Sequence, residues 1–179
     1  MIDARSYSAE EILKNGTVVR IRAIRADDKH EITEGFGRLQ AKSIYTRFFE
    51  YKKALTDEEL KTYIEVDFEN VVAMVVTTRE KESETIIGGG RYLVFGIREA
   101  QRIAELAFMV GEDYQGLGIA SITLRHLAGI AKDKGITQFY AEVLPENGGM
   151  LAVFERSGFP MRKEYTEGVV HITLSLRGE

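Results

Sequence analysis

The sequence contains no cysteine. That excludes disulfides, thiolate metal sites and a cysteine nucleophile. Histidine is scarce: His30, His126 and His171 are scattered along the chain, suggest neither a metal site nor a catalytic triad, and read as surface or packing residues. No stretch approaches the ~18 apolar residues of a membrane-crossing helix. The first residues lack the charged-then-apolar pattern of a secretion signal. There is no basic run and the net charge is −4, so nucleic acid is not an expected partner. No repeat, low-complexity tract or linker interrupts the chain. These absences fit a cytoplasmic protein with one domain over residues 1–179, its oligomeric state left open.

What is present suffices for a core. The 179 residues are 44% hydrophobic and 29% charged, and a chain of this length can bury about 70% of its unfolded surface. Ser8 and Glu11 have capping-box spacing, which predicts a short helix stopped by Gly16. Residues 17–24 alternate as a strand at or near a sheet edge. Asp27 or Asp28 can cap a helix running to about Gln40. Ser43-Ile44-Tyr45-Thr46-Arg47-Phe48-Phe49 reads as a short buried helix, with Arg47 bridging carbonyls at its end; it could also wall an acceptor groove. Thr56 with Glu59 gives a second capping box, followed by an apolar stripe of Leu60, Tyr63 and Ile64.

Residues 70–78 form a β-branched run, hence a buried strand. Turns over 79–85 and 96–102 flank a strand at 86–95, where Gly88-Gly89-Gly90 predicts a bulge or a close backbone approach. These strands and the next, 103–110, make an antiparallel meander. A helix to about Lys134, ended by Gly135, leads to a strand at 138–144 that is parallel to 103–110. Asn147 precedes another helix, capped by Gly158. A hairpin of 159–165 and 169–176 turns at Glu167-Gly168. The class is α/β (α+β): a mixed, mostly antiparallel sheet of about seven strands flanked by helices, with one splayed parallel pair.

The chain is organised around residues 105–120. An apolar strand ends at Val110, and Gln115, Gly116 and Gly118 sit where the next helix begins. Amides at a helix start have no intrahelical partner and lie at the positive end of the helix dipole. Such a site suits a diphosphate. Glycines there let a ligand come close to the backbone.

Gln115-Gly116-Leu117-Gly118-Ile119-Ala120, followed by a helix, a strand, Asn147 and Phe154-Glu155-Arg156-Ser157-Gly158-Phe159, resembles the GCN5-related N-acetyltransferase (GNAT) family over nearly the whole chain. The family's loop of this form, Q/R-x-x-G-x-G/A, holds the pyrophosphate of coenzyme A. The segment 43–49 and Arg22-Ala23-Ile24-Arg25-Ala26-Asp27-Asp28 are similar to the branch of bacterial Pat-like protein lysine acetyltransferases. In segment 43–49 one residue fewer separates Ser from Tyr than in that branch.

The resemblance implies acetyl-CoA as cosubstrate, held at Gln115, Gly116, Leu117, Gly118, Ile119 and Ala120. It implies main-chain contacts from Phe108, Met109 and Val110 to the pantetheine arm. Asn147 would bond that arm, although a helix cap is an equally good local reading. The amide near Val110 would polarise the thioester carbonyl. Glu105 matches the glutamate that serves the Pat-like branch as general base, through water. Apolar neighbours on a strand covered on both faces would raise its pKa; the alternative is a solvated or arginine-paired glutamate on a half-exposed strand.

One position departs from the pattern. Where many members have a tyrosine that protonates the leaving thiolate, this chain has Phe154. Either the thiolate leaves unassisted or another group serves; Tyr114 and Tyr140 are candidates without a motif. The expected acceptor is a protein lysine, such as one on an acyl-CoA synthetase. A small-molecule amine, or a non-catalytic acyl-CoA sensor, are the alternatives. No nucleotide-binding regulatory domain is expected within these residues.

Overall fold

The computed structural model describes residues 1–48, 52, 54–98 and 100–178, so Phe49 of the expected aromatic helix lies outside the described residues. The strands are β1 (Ser8–Ile12), β2 (Val18–Ala23), β3 (Val71–Glu80), β4 (Ser83–Arg98), β5 (Gln101–Val110), β6 (Ile136–Val143), β7 (Met161–Thr166) and β8 (Val169–Ser175). The helices are α1 (Lys29–Gly37), α2 (Ala41–Phe48), α3 (Asp57–Ile64), α4 (Ile119–Asp133) and α5 (Gly148–Glu155). Among the described residues the strands form one sheet of eight, ordered β1-β2-β3-β4-β5-β6-β8-β7. Every neighbouring pair is antiparallel except β5 and β6. No helix among the described residues is long and apolar enough to cross a membrane.

The eighth strand corrects the expected short helix at Ser8. Residues 8–12 pair with β2 in register from Ser8↔Arg22 to Ile12↔Val18. The supposed cap residues are used in tertiary contacts instead. Arg20 donates to the Ser8 hydroxyl at 2.8 Å and to Glu10 at 3.1 Å. Glu11 binds Arg125 and His126 of α4. A capping box is a local signal, and here pairing with a neighbouring strand outweighs it. Thr56 and Glu59, by contrast, form the reciprocal box at the start of α3, with bonds of 3.1 and 2.8 Å.

The two expected turns are shorter than their polarity suggests. β3 and β4 run on to Glu80 and from Ser83, and β4 and β5 run on to Arg98 and from Gln101. Lys81 and Ala100, at φ +59° and +63°, take the left-handed conformation of a tight turn. Residues 79–84 are all exposed, so the alternation that marks a half-buried strand is lost there. α1 ends at Gly37 rather than near Gln40.

A buried ion pair, joined by one carboxylate from the surface, links β2 to the start of α1. Arg22 is 3% exposed and Asp28 5%. The guanidinium donates to both Asp28 oxygens at 2.8 and 2.9 Å and to Glu84 of β4 at 2.5 Å. Burial opposes the Arg22 charge, but the two carboxylates more than offset it and its pKa stands above the ordinary arginine value. Asp28 Oδ2 also accepts the Arg25 amide at 2.7 Å.

α4 lies on one face of the sheet with Leu124, Leu127, Ala128 and Ala131 buried. Gly88-Gly89-Gly90 permits this contact, and β4 carries a bulge beside it at Ile87. A Cβ on Gly90 would stand 2.6 Å from the Phe108 ring and 2.8 Å from Thr123 of α4, and one on Gly89 would stand 2.4 Å from the Met74 carbonyl oxygen of β3. Backbone cannot yield as a side chain can. Gly89→Ala should therefore cost about 1–3 kcal/mol, read as a lower urea midpoint; an unchanged midpoint would show that β3 and β4 can separate freely.

Candidate active site

β5 and β6 pair at Arg102↔Ile136, Ile103↔Gln138, Ala104↔Phe139 and Glu105↔Tyr140, and no further. Beyond that point β5 stays on β4 as far as Val110, while β6 stays on β8 as far as Val143. The parallel pair therefore parts after Glu105. The Gly111 amide donates to Ile87 of β4 at 2.8 Å, which makes Gly88↔Val110 a non-hydrogen-bonded pair. The backbone groups of Val110, and by alternation those of Phe108, accordingly point away from β4 into the gap. Met109 points its backbone the other way, toward β4.

The gap continues into a cavity of about 900 Å³, lined by residues 105–110, the loop before α4, β6 and α5. Gly116 and Gly118 have φ of +79° and +99°, a region that L side chains rarely enter. No backbone or side-chain acceptor takes the amides of residues 116–121 among the described residues. Six donors at the start of α4 thus remain available. This cradle fits the diphosphate of a coenzyme A thioester in donor chemistry, and the cavity fits its arm in size. The Gln115 side chain braces the loop, donating to Val110 O at 3.4 Å and Ser43 Oγ at 3.3 Å. Ile119 is 2% exposed, so its side chain belongs to the core.

Asn147 caps α5, its Oδ1 accepting the Met150 amide at 3.2 Å. That leaves its side-chain NH₂ for another partner. Phe154 is 1% exposed, with its ring centroid 6.2 Å from that of Phe108.

Glu105 corrects one expectation. Its strand is not covered on both faces there, and the side chain is exposed. Its carboxyl pKa is nevertheless raised, first by partial loss of hydration and then by the charge of Glu142, against the pull of Arg47 and Arg91. Burial lowers the pKa of both arginines, but guanidinium stays charged in proteins. The Arg91 guanidinium lies 4.9 Å from the centre of the Tyr63 ring, which partly compensates its burial. Arg47 of α2 also lines a second cavity of about 770 Å³ between α1, α3 and the sheet, which adjoins the first across Ala107, Phe108 and Met109.

Beside Glu105 stands a group that sequence reading did not assemble. The Tyr140 hydroxyl lies 2.5 Å from His171 Nδ1 and 3.0 Å from Glu142 Oε1. One hydroxyl hydrogen serves both only if His171 Nδ1–H donates to Tyr140 and Tyr140 donates to Glu142. Burial first, then Glu142, pushes the Tyr140 pKa up to about 12. It is therefore a poor proton donor to a thiolate. The signal was readable in part: Gln138, Tyr140 and Glu142 alternate with buried Phe139, Ala141 and Val143.

Residues 38–159 match the acetyltransferase (GNAT) family. This chain belongs to that family. It is therefore an N-acetyltransferase, with acetyl-CoA as its acetyl donor. An acetyltransferase of Pseudomonas aeruginosa is 29% identical over 131 residues, covering 73% of this chain and 69% of the relative. The acetyltransferase Pat of Mycolicibacterium smegmatis is 30% identical over 148 residues, covering 82% of this chain. The match spans only 42% of that Pat. The GNAT domain of S. lividans PAT superposes with a TM-score of 0.84 at 31% identity, covering 94% of this chain and 96% of that domain. An acetyltransferase from Salmonella typhimurium solved with acetyl-CoA shares the fold at a TM-score of 0.70 and 16% identity, with 90% and 95% covered.

The electrostatics around Glu105 can be checked directly. In an NMR titration its carboxyl should titrate above the ordinary glutamate value. Glu142→Gln removes a like charge, so the Glu105 midpoint should move down. A midpoint that stays put would show that Glu142 is too far away to matter.

Proposed function

We propose that the enzyme acetylates the primary amine of a protein lysine, with Glu105 as general base. The observation that carries this reading is the place of Glu105: the last paired residue before β5 and β6 part, at the head of the gap into which Phe108 and Val110 turn their backbone. A lysine ammonium has a pKa of about 10.4, so at neutral pH it must lose a proton before its nitrogen can attack. Glu105, more basic than an ordinary glutamate, accepts that proton directly or through a water. The neutral amine nitrogen bonds to the acetyl carbon, the nitrogen gives up its second proton to water as the carbon–sulfur bond breaks, and the thiolate leaves with the bonding pair. The Val110 amide faces the carbonyl oxygen; such a donor is worth about 2.7–4 kcal/mol when charge develops there.

In this reading residues 116–121 hold the diphosphate. The free NH₂ of Asn147 serves the pantetheine arm, and Phe108 and Phe154 pack beneath it. Phe154 offers no proton, and Tyr140 holds its own tightly. A thiol pKa near 8.5 permits the thiolate to depart unassisted, and Tyr114, in the wall of the same cavity, is the remaining candidate donor. The adjoining cavity, with Arg47 and Tyr63 in its wall, gives the acceptor its approach. The similarity to Pat supports lysine as the acceptor. A small-molecule amine is the second reading, since a cavity of about 770 Å³ can hold one.

Glu105→Gln should lower kcat at least ~100-fold while leaving acetyl-CoA affinity unchanged. The wild-type rate should fall as pH drops through the raised Glu105 pKa, because only the carboxylate can take the proton. A variant that turns over at near-normal rate, with the same acid limb, would remove Glu105 from this role. Comparing lysine peptides with free small amines as acceptors separates the two readings.

A further inference from the structure

We propose that Lys14, on the turn between β1 and β2, is a further cofactor-binding residue whose ammonium meets the diphosphate held at the start of α4. The proposal rests on the reading of residues 116–121 as the diphosphate cradle. Three observations carry it.

The turn is docked on the loop. The Leu13 amide donates to Thr17 O at 2.9 Å, the Gly16 amide donates to Leu13 O at 2.9 Å, and the Lys14 amide reaches across to Leu117 O at 3.1 Å. That last bond fixes the turn, and with it the start of the Lys14 side chain, against the loop before α4.

The Lys14 side chain lies along the loop. A Cβ placed on Gly118 would stand 3.7 Å from Lys14 Cε and 3.9 Å from Cγ. The stem thus passes over Gly118, which offers no side chain, and Lys14 lines the cavity with the cradle. Long cationic side chains often bury the stem in this way and leave the head in water.

Charge balance points the same way. A diphosphate diester carries two negative charges, whereas a helix start offers only about half a positive one. Among the described residues the Lys14 ammonium has no ion pair. Its place beside Gly118 puts it at the diphosphate, not at the ribose phosphate.

Calorimetric titration of coenzyme A and 3′-dephospho-coenzyme A into wild type, Lys14→Met and Gly118→Val tests this. Lys14→Met keeps the stem and the backbone bond, and circular dichroism with thermal melting checks that each variant is folded. Lys14→Met should weaken both ligands by the same factor, roughly tenfold at low salt, the size of one charged hydrogen bond. The difference should shrink as salt is added. Gly118→Val should abolish binding of both. Wild-type affinity in Lys14→Met with loss in Gly118→Val would overturn the Lys14 proposal and leave the cradle standing. A loss confined to coenzyme A would overturn it too, by placing the ammonium at the ribose phosphate. Normal binding in a folded Gly118→Val would overturn the cradle itself.

Discussion

Two parallel strands cannot part in the middle of a sheet without leaving backbone donors and acceptors unpaired. The rest of this structure follows from that constraint. β5 and β6 separate after Glu105 and Tyr140. The inner edge of β5 then presents Phe108 and Val110 as an open half-ladder. A ligand with alternating amide groups can complete it as a third strand would, which is why an extended amide-bearing arm suits the gap better than a compact molecule. The first carboxylate above the fork is Glu105, and the first free helix amides below it belong to α4. Glu105, the open ladder and the free amides at the start of α4 all border the gap that this separation makes.

The opening has to be held open. On one side the glycines of β4 let α4 come down onto the sheet, where Thr123 and Ile119 occupy the space that side chains would take. On the other side β8 continues the pairing of β6 past the fork, as far as Val143↔Val170. Each of the two strands thus keeps one full partner while losing the other. On its two strand sides the gap is bounded by complete hydrogen-bonded ladders.

Much of this was legible because its signals are local. The apolar run from 103 to 110, the two glycines and the periodic helix lie consecutively, and their geometry follows from neighbours in sequence. The Thr56–Glu59 box and the Glu167-Gly168 turn, with φ of +53° and +80°, are local in the same sense. The Ser8–Glu11 box failed because its residues found better partners far along the chain, in Arg20 and in α4. That single misreading also hid Lys14, since a helix there would have carried it away from the loop. The exposure of Glu105 was left open by the sequence for a related reason. Apolar neighbours along a strand do not reveal which faces the helices leave bare.

The triad of Arg22, Asp28 and Glu84 draws on three separate pieces of chain: β2, the turn into α1, and β4. Arg22 and Asp28 are both buried, whereas Glu84 reaches them from the surface. Losing Asp28 would leave a cation poorly compensated in the interior, and losing Arg22 would strand a buried anion; losing Glu84 would be milder. The entrance to α1 is in this way pinned to β2, and its position can change only if Arg22 and Asp28 change together.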